Sequence, residues 1–67
     1  MVDIIVNGKE MKVQKGTTLL QLMESLGIAG KVMAAAIDME IVKKDEWKSR
    51  ILEDGERVEL MHFVGGG

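Results

Sequence analysis

Residues 2–14 read Val2-Asp3-Ile4-Ile5-Val6-Asn7-Gly8-Lys9-Glu10-Met11-Lys12-Val13-Gln14, two alternating, β-branched runs with Asn-Gly between them. A two-residue hairpin of type I′ needs positive φ at both central positions, which Asn tolerates and Gly adopts freely, so the stretch predicts a β-hairpin. Its alternation puts Val2, Ile4, Val6, Met11 and Val13 on one sheet face. After Lys15-Gly16 the apolar period changes. Leu19, Leu22, Met23 and Leu26 fall at i, i+3, i+4 and i+7, the stripe of a helix with one buried face. Thr18 and Gln21 have the spacing of a capping box at its start, and Gly27 suits the left-handed position after its end.

Downstream, Lys31 to Ile37 reads as a strand, with Met33, Ala35 and Ile37 expected inward and Ala34 and Ala36 outward. Asp38-Met39 is a turn into Glu40-Ile41-Val42. Asp45-Glu46-Trp47-Lys48 suggests a short helical turn with an acidic start, beneath which Trp47 covers the core edge. Asp54-Gly55 turns the chain into a last strand, with Val58 and Leu60 inward and Arg57, Glu59, Met61 and Phe63 outward. The order strand, strand, helix, strand, short element, strand needs one amphipathic helix laid across a mixed sheet, because the helix stripe has no other apolar face to cover it. The expected architecture is α+β, a ubiquitin-like β-grasp, as one domain over residues 1–67 with a flexible Gly-rich tail at 64–67.

Composition narrows the function classes. A chain of 67 residues has no cysteine for disulfides and one histidine, so a hydrophobic core must hold it. Nine basic against eleven acidic side chains argue against nucleic acid or an anionic membrane as partner. The longest apolar run, Val32 to Ile37, is far too short to span a bilayer, and the expected location is the cytoplasm. No metal-ligand spacing is present. His62 has no Ser, Cys or Asp arrangement around it and is read as structural; Lys43, Lys44, Lys48 and Arg50 are read as a solvated basic run.

What remains is Val64-Gly65-Gly66-Gly67. Glycines without Cβ can thread a narrow channel, and four extended residues span about 14 Å, enough to present a carboxylate inside a partner's site. A Gly-rich end is also the ordinary composition of a flexible spacer. The tail does not form a phosphate loop: no helix follows it and no Gly-Lys-Ser/Thr occurs. Outside the core, Met61 and Phe63 share the outward face with Ile5, flanked by Ala34 and Ala36, whose short side chains would let a partner approach.

The sequence resembles the ThiS/MoaD family of ubiquitin-like sulfur carriers, and within it the ThiS branch of thiamin biosynthesis. The resemblance rests on Ile4 to Lys9, Gly16 to Leu22, Glu40-Ile41-Val42, Glu46-Trp47, Asp54 to Glu59 and Val64 to Gly67, in that order and spacing. The chain departs from the family pattern at Asp38-Met39, where Asn-Gly is common, and at Lys43-Lys44, where Pro-Arg is common. The resemblance implies that an E1-like, ThiF-like adenylyltransferase uses ATP to adenylate the Gly67 carboxylate. Sulfur from a persulfide donor then displaces AMP and leaves a thiocarboxylate for a ThiG-like thiazole synthase. Gly65 and Gly66 would carry that end into the partner, and Ile5, Ala34, Ala36, Met61 and Phe63 would form the docking face. The carrier would be a protein cosubstrate, with no cofactor of its own, the ATP being bound by the partner, and a monomer when free. Two other readings share the fold: a MoaD-like small subunit of molybdopterin synthase, and a non-catalytic β-grasp interaction module.

Overall fold

The structure is a computed structural model of the chain, described here for residues 1–62. Five strands, β1 (Val2–Val6), β2 (Lys9–Val13), β3 (Val32–Ile37), β4 (Glu40–Val42) and β5 (Arg57–His62), form one sheet in the order β2-β1-β5-β3-β4. Only β1 and β5 run parallel; the other neighbours are antiparallel. The one α-helix among the described residues, α1 (Leu19–Ser25), supplies Leu19, Leu22 and Met23 to a core shared with Ile4, Val58, Leu60 and Trp47. This is the mixed-sheet β-grasp expected from the order of elements.

The first hairpin has the predicted register, Val2 opposite Val13 and Ile4 opposite Met11, and Asn7 and Gly8 take φ of 49° and 85°. Val2, Ile4 and Val6 are buried, while Met11 and Val13 on the edge strand pack against them partly covered. At the helix start, Thr18 Oγ1 accepts from Gln21 N at 3.1 Å and Thr18 N donates to Gln21 Oε1 at 2.9 Å, so both halves of the capping box form. At its end Gly27, with φ of 74°, donates to Glu24 O, and Ile28 donates to Met23 O, each at 3.0 Å. That double closure is a Schellman motif, and the apolar residue following it, Ile28, packs on the core. Leu26, counted in the buried stripe by periodicity, stays 37% exposed. The helix has already stopped at Ser25, so the fourth position of the stripe turns away and Ile28 replaces it.

Met33 is the second correction. Strict alternation back from Ile37 and Ala35 places it inward, yet it is 70% exposed and Val32 is buried instead. The reason is a bulge: Val32 pairs with His62 and Ala34 with Met61, leaving Met33 as an extra residue that reverses the inward set.

Between β4 and β5 the chain makes a short 3₁₀ turn (Lys44–Glu46) with Asp45 and Glu46 in its first turn. Trp47 follows it, buried, its indole Nε1 donating to Val42 O at 2.9 Å. The loop beyond is anchored by Leu52, a fully buried residue that no periodic pattern announces, and by Leu52 N donating to Thr17 O at 2.9 Å. Arg50 belongs to this anchor, not to a solvated basic run. Its guanidinium meets Glu56 Oε2 at 2.6 Å and also donates to Ile51 O, and Glu56 Oε1 accepts from Glu53 N at 2.7 Å. No buried side-chain polar atom among the described residues lacks a partner.

Candidate docking face and C-terminal segment

The face of the sheet turned away from α1 is built by the alternate residues of the strands that supply the core. On β5 these are Arg57, Glu59 and Met61, and on β3 Ala34 and Ala36. Register places Ala34 beside Met61 and Ala36 between Glu59 on one side and Ile41 on the other. Two methyl side chains between longer neighbours leave a shallow groove of about 360 Å³, lined by Ala34, Ala36, Met39, Ile41, Glu59 and Met61. Its apolar walls face solvent: Met39 is 81%, Ile41 73% and Met61 67% exposed.

Three of the five residues expected at a docking face, Ala34, Ala36 and Met61, are therefore brought together. Ile5 lies on the same sheet face but in a different depression, with Asp3, Glu10 and Lys12 around it. Its register partners are Glu10 on the outer strand β2 and Arg57 on β5, and Arg57 stands between it and the strands of the groove. Lys12 Nζ meets Asp3 Oδ1 at 2.7 Å, and that hydrogen bond and charge hold the Lys12 ammonium above the ordinary lysine value. The outward face is thus divided into a charged half over β1 and β2 and an apolar half over β3 and β4. Phe63, Gly65, Gly66 and Gly67 lie outside the described residues.

Sequence reasoning did not single out Met39 or Ile41 for this face. A three-residue strand such as β4 is too short for alternation to assign its faces, and Met39 sits in a turn where periodicity says nothing. The available signal was the adjacent apolar pair Ile41-Val42, since successive strand residues point to opposite faces; Val42 packs on the core and Ile41 is exposed.

Among the described residues no group of three or more His, Cys, Asp or Glu is placed to hold a metal ion, and no helix is long and apolar enough to cross a membrane. His62, half-buried on β5 opposite Val32, has no catalytic neighbours in the surrounding register. The apolar half of the face lies on the strands that include β5, the strand that leads to residues 63–67.

A β-grasp domain with one helix, a half-apolar sheet face and a glycine-rich segment beyond the last strand defines the class as a small ubiquitin-like protein. The ThiS family model matches residues 4–67, and the chain belongs to the ThiS family. It is 35% identical over 63 residues to the sulfur carrier protein ThiS of Bacillus subtilis, covering 92% of this chain and 96% of that protein. It is also 30% identical over 64 residues to the thiazole synthase of Paramagnetospirillum magneticum; that alignment takes in 96% of this chain but spans 20% of the relative. The crystal structure of the thiamine biosynthesis protein ThiS from Geobacter metallireducens superposes with a TM-score of 0.79 at 26% identity, covering 98% of this chain and 100% of that one.

Proposed function

We propose that this chain is a sulfur carrier for thiamin biosynthesis, a protein cosubstrate whose Gly67 carboxylate is the group that is chemically changed. The observation that carries the reading is membership of the ThiS family through residue 67. A carboxylate resists nucleophiles, because its charge repels them and oxide leaves poorly. Adenylation removes both obstacles: an E1-like partner joins the carboxylate to the α-phosphate of ATP and releases pyrophosphate. The terminal sulfur of a persulfide then attacks the acyl carbon and AMP leaves with the bonding electron pair. Cleavage of the resulting S–S bond by a second thiol leaves a thiocarboxylate on Gly67. In this state sulfide is carried on a protein, and the folded body directs it to an acceptor, here a thiazole synthase.

Division of labour between body and end supports the reading. Residues 63–67 reach at most about 17 Å at full extension, so the carboxylate can enter a partner's site only while the body docks outside it. Glycines at 65 and 66 offer no side chain to a narrow passage.

Intact-mass measurement tests the proposal. After incubation with the adenylating partner, ATP and a persulfide source, the mass should rise by the difference between sulfur and oxygen. Deleting Gly67, or extending the chain beyond it, should abolish that rise without altering the thermal unfolding of the body. Gly66→Val should slow conversion through its side chain and restricted φ. Undiminished conversion of the extended chain, without prior trimming, would leave the interaction-module reading in its place.

A further inference from the structure

The turn between β3 and β4 holds Asp38 at φ 50° and Met39 at φ 72°. Asp38 is compensated locally: its Oδ1 accepts from Arg57 N at 3.0 Å and its own N–H donates to Arg57 O at 2.8 Å. Met39 has no such return. A long side chain in the left-handed region is strained by the contact of its Cβ with the backbone, and glycine would relieve it. Nor is the strain offset by burial, since the Met39 side chain is among the most exposed of the described apolar residues. Folding gains nothing from methionine at this position. Among the described residues, its side chain stands in the groove wall with Ile41 and Met61.

We infer that Met39 is a docking contact for a thiazole synthase, held on a strained backbone because its side chain is buried only when that enzyme is seated in the groove. The inference rests on the sulfur-carrier reading, in which Gly67 bears the reactive group. Met61 is next to the last residue of β5, and only residues 63–67 separate that strand from the carboxylate. With about 17 Å of chain at most, an enzyme that takes this carboxylate seats close to the His62 end of β5, where Met61 forms one end of the groove; Met39, just beyond the Ile37–Val58 pair, forms the other. In the relative named as a thiazole synthase, a segment similar to this chain is covalently joined to the rest of that protein. The flexible, polarisable thioether suits a surface that must fit an irregular partner.

The test reads stability and binding on the same variants, using the full chain and the purified thiazole synthase of the same organism. Met39→Gly should raise the thermal midpoint by about 4 °C while weakening calorimetrically measured binding about tenfold. Met39→Leu keeps both the strain and the apolar bulk, so its midpoint should be unchanged and its affinity within about threefold of the parent. Unchanged binding by Met39→Gly, or a midpoint that fails to rise, overturns the inference while leaving the carrier reading in place. A parent chain that does not bind the synthase at all removes the partner from the carrier reading, and the inference falls with it.

Discussion

The carboxamide of Asn7 spends both its hydrogen bonds on one residue far along the chain: Oδ1 accepts from Leu60 N at 2.8 Å and Nδ2 donates to Leu60 O at 3.2 Å. The backbone ladder between β1 and β5 ends when Asn7 N has donated to Val58 O at 2.9 Å, because the chain then turns away at Gly8. The side chain stands in for the next peptide group of β1, so one residue serves the hairpin turn through its backbone and fastens the C-terminal strand through its amide.

Asn7→Gly preserves the turn geometry and removes the fastening. It should cost about 1–2 kcal/mol in urea unfolding and speed hydrogen exchange at the Leu60 amide, leaving Val58 protected. Asn7→Asp keeps an acceptor but sets a second oxygen against Leu60 O, so it should be no more stable than the glycine variant. A Leu60 amide that exchanges equally slowly in the parent and in Asn7→Gly would mean the pairing is not formed in solution.

Leu22 is fully buried in the middle of the α1 stripe. Leu22→Ala should cost about 2–5 kcal/mol, a large share of what a core of this size supplies, and chemical denaturation should show a barely folded domain. An unchanged midpoint would detach the stripe from the core.

At Gly8 an added Cβ would meet nothing within 4 Å, so any penalty is conformational and not steric. Gly8→Val, at φ of 85°, should lose about 1–2 kcal/mol or more by the left-handed penalty alone. Equal stability of parent and variant would exclude this turn geometry.

The bulge in β3 makes a pair of opposite expectations. Met33→Ser should change stability by less than about 0.5 kcal/mol, as for an exposed site, whereas Val32→Ala removes a buried side chain and should cost about 1–3 kcal/mol. The reverse ranking, read from thermal melts of the two variants, would restore strict alternation and remove the bulge.

What the sequence by itself determined is what short-range chemistry can encode. Asn7-Gly8 dictates a hairpin because few other residues accept two consecutive positive φ values, Thr18 and Gln21 dictate where the helix begins, and the change from period two to period 3.6 dictates that a sheet receives it. The family blocks from Ile4 to Gly67 carried the functional expectation in the same local way. Tertiary structure decided the rest. Whether Met33 or Val32 enters the core depends on a bulge set by pairing with β5, and Leu52 is buried only because its loop folds back beneath Thr17. Arg50 leaves the basic run because Glu56 comes within reach, and Ile5 is cut off from Met61 because β5 lays charged side chains between them. The apolar groove is likewise assembled from a turn and three strands, so its members are neighbours only across hydrogen-bonded registers. Local periodicity fixes the face a residue would take on an ideal strand; which residues meet on that face is fixed by long-range pairing, whose partners are distant along the chain.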